Sequence, residues 1–265
     1  MTKPFIKWVG GKTNLLPEIL DRLPPHINNY TEVFLGGGSV FYELHDKNLI
    51  TGPILLNDYN SKLITTYQQV RDNTEALNKE LYMRKILHDK DHYYRERSAF
   101  NSATDPLDIA AGFIYLNKTC FNGLYRVNAA GDFNVPVGRY KEPKIYDPEV
   151  LEDAAKALKE VQLTSASFFE VPIKEDTFYY LDPPYHDTFT GYTDMKFSEM
   201  FQKDLAEYCR KIDKAGSYFM LSNSLNSFIE DLYLEFNQHV VKAGRSVSSK
   251  ATNRGKVNEL LITNY

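Results

Sequence analysis

Cysteine is scarce in this chain: Cys120 and Cys209 are the two among 265 residues. They stand far apart and form no Cys-x-x-Cys pair, which argues against a zinc cluster and for a reducing cytoplasm. No apolar run reaches the roughly 20 residues that span a bilayer, and Met1-Thr2-Lys3-Pro4 opens no signal peptide. Neither a membrane partner nor secretion is therefore expected. A metal is not expected either: His88 and His92 sit four apart, but with no third ligand nearby they read as a solvated helix face. Basic charge is also short, with 31 Lys and Arg against 35 Asp and Glu and a formal net charge of −4. That balance counts against DNA, because phosphate neutralisation normally needs basic surface. Distribution offsets it. Lys242, Arg245, Lys250, Arg254 and Lys256 fall in an acid-free stretch, and Lys118 to Lys144 is biased basic by Arg126, Arg139 and Lys141.

What is present is 43% hydrophobic residues, enough for one sizeable core or a core plus an inserted subdomain. The most informative stretch is Asp182-Pro183-Pro184-Tyr185, after the apolar run Thr177 to Leu181, which reads as a buried strand. Two prolines stop regular structure and fix their own φ angles, leaving a stiff shelf at a strand's carboxyl end, where open α/β sheets bind ligands. Such a shelf suits attack by an exocyclic amine conjugated to an aromatic ring. Asp182 accepts one N–H, the Pro183 carbonyl accepts the other, and Tyr185 stacks on the base. Both bonds favour the sp³ nitrogen of the transition state over the planar ground state. The plain alternative is a proline-capped strand end with a solvated Asp and a packing Tyr. His186 lies beside the shelf, but a methylated amine loses its proton easily and no base is assigned.

Elsewhere the chain alternates strands and helices. Lys7-Trp8-Val9-Gly10-Gly11-Lys12 reads as a turn with exposed N–H groups before an amphipathic stretch from Asn14 to Leu23. It is not a Walker loop. Thr31 to Leu35 reads as a strand, Gly36 to Ser39 as a turn and Val40 to Lys47 as a helix; strand Ile54 to Asn57 then leads to Asp58. An acid about 20 residues past the glycines suits ribose hydroxyls, although Asp58 equally suits a cap for the helix starting near Asn60. The glycines lack the GxGxxG form, which weakens a dinucleotide reading. Asn60 to Lys118 is helical in pattern, with breaks at Asn73 and Asn101 to Pro106 and Asp105 as a cap. Cys120 to Lys141 reads as a β-hairpin turning at Ala130-Gly131-Asp132. It crowds Asn122 and Arg126, residue types that read adenine and guanine edges in the major groove, beside Phe121 and Leu124. Helix Asp147 to Lys159, strand Val161 to Ser165, a lid-like loop from His186 to Lys196, helix Glu199 to Ala215 and strand Ser217 to Ser222 follow. Val240, Val241 and Asn258 to Thr263 close the sheet around the basic loop.

Asp-Pro-Pro-Tyr, the Trp-Val-Gly-Gly-Lys turn and the Cys-Phe-Asn-Gly-Leu-Tyr-Arg run together resemble the Dam-type DNA adenine methyltransferases, across nearly the whole chain. The resemblance implies an α/β fold: a class-I S-adenosylmethionine-dependent, Rossmann-like sheet from residues 1–59 and 145–265. A helical and β-hairpin recognition insertion would occupy 60–144. It implies methyl transfer from S-adenosylmethionine to adenine N6 in double-stranded DNA, at G-A-T-C, with base flipping. The donor set is Trp8, Lys12, Phe34, Gly36, Gly38, Ser39, Asp58 and Asp182; the catalytic set is Asp182, Pro183, Pro184 and Tyr185. By the same resemblance Arg126 reads the guanine paired to the final cytosine, Asn122, Leu124 and Pro136 surround the central pairs, Lys7 reaches the first guanine and Phe121 wedges into the stack. Lys118, Arg139, Lys141, Arg254 and Lys256 complete the DNA set. Two departures stand out: Phe121 replaces the family's common Tyr, and Lys118 its frequent Arg, so a bidentate phosphate contact is lost there. The setting implied is a bacterial cytoplasm or phage-infected cell, with a cognate restriction endonuclease left open as a partner. A cytosine N4 enzyme would more often carry Ser before Pro-Pro-Tyr, and a glutamine methyltransferase Asn. Neither an RNA nor a glutamine enzyme explains the hairpin. A non-enzymatic DNA-binding module would not explain the donor turn.

Overall fold

The computed structural model describes residues 2–185, 199–244 and 256–265, with backbone alone at 243–244 and 256–257. Among the described residues, seven strands form one sheet in the order β3-β2-β1-β4-β5-β7-β6. They are β1 (Asn29–Glu32), β2 (Ile54–Asn57), β3 (Gln162–Thr164), β4 (Thr177–Leu181), β5 (Tyr218–Ser224), β6 (Asn237–Gly244) and β7 (Lys256–Thr263). The first five pair in parallel, while β7 runs antiparallel to both β5 and β6. Strand order reverses between β1 and β4: from β1 the chain winds outward to β2 and β3, then returns to the other side of β1. Such a switch point opens a crevice beyond the strands' carboxyl ends.

The apolar strands make sense of this arrangement, because helices cover both faces of the sheet. Along β4, Phe178 and Tyr180 enter one hydrophobic cluster while Tyr179 and Leu181 enter the other. This is the two-residue alternation of a strand buried on both sides. One face is covered by α2 (Ser39–Asp46), α3 (Ser61–Asp72) and α7 (Pro148–Leu158), whose apolar residues share a cluster with Tyr30, Leu56 and Met220. The other is covered by α8 (Glu199–Lys214) and α9 (Ser227–Leu232). Between β2 and β3 the chain also forms α4 (Thr74–Ile86), α5 (Lys90–Ser102) and α6 (Pro106–Thr119). The last of these packs against α3, α4 and α5 and is apolar nearly all round. Its start is set as expected: Pro106 takes the first turn and the Asp105 carboxylate accepts from Leu107 N and Asp108 N.

Five readings need correction. The first strand ends at Glu32 rather than Leu35, because Gly36 and Gly38 adopt positive φ and bend the chain away; Val33 N and Leu35 N still donate to Tyr180 O and Asn57 O. The N-terminal amphipathic stretch is a 3₁₀ turn at Lys12–Asn14 and a short helix, α1 (Leu16–Leu20). His88 and His92 are not a solvated helix face: His88 precedes α5, His92 is 7% exposed, and both rings pack edge-on against Tyr115. Helix α9, an element not foreseen, is capped by Asn226, which accepts from Ile229 N. The hairpin has no continuous ladder, just isolated antiparallel bridges at Val127–Phe133 and Cys120–Val137. Helix α5 supplies the missing hydrogen bonds: the Tyr93 hydroxyl donates to Val135 O, and Asn101 both donates to Phe133 O and accepts from Phe133 N. Its turn is held by the Asn128 side chain, which accepts from Ala130 N and Asp132 N.

One buried amide ties β1, β2 and the segment after β3 together. Asn57 donates to Val33 O and Ala166 O and accepts from the Thr164 hydroxyl and Ala166 N, at 2.9–3.1 Å. Asn57→Leu leaves these groups without their partner, and each buried polar group so stranded costs about 1–3 kcal/mol. We expect urea denaturation to show a loss of at least ~2 kcal/mol. An unchanged midpoint would mean that water replaces the amide.

Candidate active site at the carboxyl edge of the sheet

The crevice between β1 and β4 gathers the residues expected to hold a methyl donor. Gly36 follows β1 at φ +50°, and a Cβ there would lie 2.6 Å from the Trp8 ring. Gly38, at φ +67°, would bring a Cβ within 3.0 Å of the Tyr67 hydroxyl, which itself donates to Gly36 O. Both positions therefore demand glycine. Asp58, past the end of β2, reaches back: its carboxylate accepts from Gly36 N and Asn60 N, each at 2.9 Å. The cap of α3 is the Asn60 side chain, not Asp58. Burial raises the Asp58 carboxyl above its usual range. Phe34 sits in the turn itself, its ring 5.8 Å from Phe168. Ser39 opens α2 and accepts from Lys12 N, which draws the N-terminal turn against the glycines.

That turn carries the central contact. Lys12 is 6% exposed, and its ammonium lies 2.7 Å from Asp182 Oδ1. It also donates to Gly10 O at 2.8 Å and sits 4.9 Å from the Tyr185 ring centre. Asp182 emerges from β4, with Pro183, Pro184 and Tyr185 extending the shelf without regular structure. Pro184 O accepts from Gln202 of α8, whose own oxygen accepts from Asn223 of β5. Burial pushes the Asp182 carboxyl up to about 6, against the pull of Lys12 and with further upward pressure from Glu259. Beneath the shelf, Glu32 is 2% exposed, bonded to the Tyr30 hydroxyl and to Phe41 N. Burial above all pushes it up to about 8.

The recognition candidates form a second group, joined to the first by Trp8 and Lys7. The Trp8 ring stacks on Phe113 of α6 and on Tyr125 of the hairpin. Lys7 is exposed, its ammonium 4.2 Å from the Tyr140 ring centre. Phe121 is 42% exposed, and Asn122 next to it adopts φ +56°. Leu124 is partly buried, and Pro136 O accepts from Phe121 N. Arg126 is exposed and its Nε donates to Asn134 at 2.7 Å. Arg139 and Lys141 are exposed. Burial, reinforced by Lys7, lowers the Lys118 ammonium to about 8. Arg254, the Lys256 side chain and the loop from His186 to Lys196 lie outside the described residues.

Sequence reasoning missed Glu32, Asn117 and Glu259. Glu259 carried a usable signal, a lone acid inside the apolar closing strand. Asn117 carried none, because a polar residue near a helix end is ordinary. Yet Asn117 is 2% exposed and clasps the Lys7 backbone on both sides, accepting from Lys7 N and donating to Lys7 O at 2.8 Å. It also donates to Gly123 O. Asn117→Ala should lower stability by about 1–3 kcal/mol. It should also loosen the turn that carries Trp8, the one tryptophan in the chain. Urea denaturation combined with a red shift of the native tryptophan emission checks both; unaltered emission would mean that the aromatic stack alone holds the turn.

These elements fit S-adenosylmethionine: a glycine turn open to close backbone approach, a carboxylate at the end of β2 and a cation–carboxylate pair between them. Among the described residues there is no group of three or more His, Cys, Asp or Glu placed to hold a metal ion, and no helix long and apolar enough to cross a membrane. The family model for D12 class N6 adenine-specific DNA methyltransferases matches residues 8–247. The chain is 40% identical to the type II methyltransferase M.MjaIII of Methanocaldococcus jannaschii, covering 99% of each chain. It is 38% identical to M1.LlaDCHI of Lactococcus lactis subsp. cremoris, over 99% of this chain and 95% of the other. It is 35% identical to the DNA adenine methylase of Escherichia coli K12, over 98% and 94%. With a seven-stranded class-I methyltransferase sheet, a crevice at its switch point and this kinship along its length, the chain belongs to the D12 class of N6 adenine-specific DNA methyltransferases and takes its methyl group from S-adenosylmethionine.

Proposed function

We propose that the enzyme methylates adenine N6 in double-stranded DNA at G-A-T-C, with the target base turned out of the stack. The observation that carries this reading is the Lys12–Asp182 pair, which joins the turn at the donor crevice to the Asp-Pro-Pro-Tyr shelf at 2.7 Å. In the proposed reaction Asp182 and the Pro183 carbonyl accept the two N–H groups of the amine, and Tyr185 stacks on the ring. Pro184 keeps the shelf rigid. S-adenosylmethionine supplies the electrophilic methyl group of a sulfonium. The amine lone pair forms the new N–C bond as the C–S bond breaks, and one N–H proton then leaves to water. Trp8, Phe34, Gly36, Gly38, Ser39, Asp58 and Lys12 form the donor wall. Because N6 is paired inside the duplex, the adenine must leave the stack to reach a shelf set in a crevice.

In this reading residues 1–59 and 145–265 form the catalytic domain, and 60–144 the target-recognition domain. Lys7, Phe121, Asn122, Leu124, Arg126 and Pro136 face the site sequence, while Lys118, Arg139, Lys141, Arg254 and Lys256 hold phosphates. The two relatives named type II methyltransferases support a cognate restriction endonuclease as partner; the setting proposed is a bacterial or phage-infected cytoplasm.

Asp182→Ala should slow methyl transfer by about a hundredfold or more, the scale for losing one preorganised transition-state contact. Binding of S-adenosylhomocysteine should persist. Asp182 is the stronger N–H acceptor when ionised, and burial pushes its carboxyl up to about 6. The single-turnover rate of the native enzyme should therefore be level above neutrality and fall about tenfold per pH unit well below that value. Near-normal radiolabelled methyl transfer by folded Asp182→Ala protein would overturn the mechanism.

The hairpin predicts a different kind of loss. An Arg fork matches the O6 and N7 acceptors of guanine, and losing it costs about 1–3 kcal/mol at that position. Arg126→Ala should methylate duplexes altered at the last base pair of G-A-T-C nearly as well as the intact site, while keeping selectivity at the first. Rates on duplexes varied one base pair at a time measure this. One common drop on all sequences would make Arg126 a phosphate contact.

A further inference from the structure

The Tyr185 hydroxyl has one proton, and two carboxylates are placed to take it. One is Glu259 of β7, 8% exposed, whose Oε2 accepts from the Tyr185 hydroxyl at 2.7 Å. The other is Asp182, whose side chain also interacts with that hydroxyl. Strand β7 pairs with β5 on one side and β6 on the other, Glu259 lying opposite Ser224 and Val241, so the Glu259 backbone is held between two neighbouring strands. Asp182, by contrast, must keep an oxygen for the substrate amine. We propose that Glu259 is a positioning residue, which takes the Tyr185 proton so that Asp182 stays available as an acceptor and the Tyr185 ring is held in its stacking attitude. This rests on the catalytic reading of the Asp-Pro-Pro-Tyr shelf given above.

The argument is one of competition. A phenol beside two carboxylates donates to one of them, and a hydrogen bond to a charged acceptor is among the stronger ones. Without Glu259 the hydroxyl turns to Asp182, occupies a lone pair that the amine needs and leaves the ring without its anchor on β7. The electrostatics move with it. Asp182 faces Lys12 from the N-terminal turn, Glu32 from β1, Tyr180 from β4, Tyr185 from its own loop and Glu259 from β7. Loss of the Glu259 charge and gain of the phenol bond both stabilise ionised Asp182, so both lower its titration.

The test is a cycle of Glu259→Leu, Tyr185→Phe and the double variant, with Glu259→Gln as the conservative substitution. Glu259→Leu should slow single-turnover methyl transfer by about tenfold or more, the scale of a competing charged hydrogen bond. Tyr185→Phe removes the competing proton while keeping the ring, so the double variant should recover to the rate of Tyr185→Phe alone. Glu259→Gln keeps an acceptor for the phenol and should remain near the native rate. In both Glu259 variants the acidic limb of the pH–rate profile should move to lower pH. Calorimetric binding of S-adenosylhomocysteine should be unaltered. A double variant no faster than Glu259→Leu, or an acidic limb that stays in place, overturns the proposal. If Glu259→Leu does not fold, Glu259→Gln decides it through the acidic limb alone. Normal turnover by Asp182→Ala would fell the catalytic reading and this one together, whereas an inactive Asp182→Ala with independent losses at 185 and 259 fells this one alone.

Discussion

A buried lysine paired to a half-buried aspartate holds this site together. Taking both charges from water is expensive, and their attraction offsets that cost when the geometry is good and further hydrogen bonds serve the same groups. Here those conditions are met by structure from three parts of the chain. The Lys12 ammonium also bonds Gly10 O, its backbone N–H bonds Ser39 at the start of α2, and Asp182 is carried on the end of β4 in the middle of the sheet. The pair therefore ties the N-terminal turn to the switch point. The glycine turn and the Asp182–Tyr185 shelf depend on that tie for their relative position.

The same turn faces the other way as well. Asn117, near the end of α6, holds the Lys7 backbone on both sides and bonds Gly123, and Trp8 stacks against Phe113 and Tyr125. Gly123 leaves no room for a Cβ, which would lie 2.6 Å from the Lys7 side chain. Six residues, Lys7 to Lys12, thus touch the hairpin at one end and Asp182 at the other. A DNA adenine methyltransferase benefits from such rigidity, because a small misplacement of reacting groups costs rate steeply.

Much of this was legible beforehand, for identifiable reasons. Two prolines after an aromatic strand announce a stiff end, and glycines after a strand announce a backbone that something approaches closely. Local chemistry decides such features. Strand Ile54–Asn57 and the Asp105–Pro106 helix start were read correctly for the same reason. The hairpin was read too simply. Alternating residues predict strands, but the backbone of Phe133 and Val135 is bonded by Asn101 and Tyr93 of α5, 32 and 42 positions earlier, and no local pattern encodes a partner at that distance. Asp58 had two readings that local pattern left open; the fold gives the cap to Asn60 and aims Asp58 at the glycine turn.

By itself, then, the sequence determined the α/β alternation, the stiff shelf, the glycine turn and the residue types that can accept from an amine or read a base edge. These follow from backbone sterics, side-chain periodicity and functional-group chemistry, all of which act over a few residues. Tertiary structure decided what meets what. It placed β4 beside β1, so that Asp182 lies against Lys12, and it ran β7 back antiparallel, so that Glu259 reaches Tyr185 across 74 positions of chain. Whether a buried carboxylate is an acceptor, a brace or a competitor depends on neighbours that only the packed sheet supplies, because burial and nearby charges together set its ionisation.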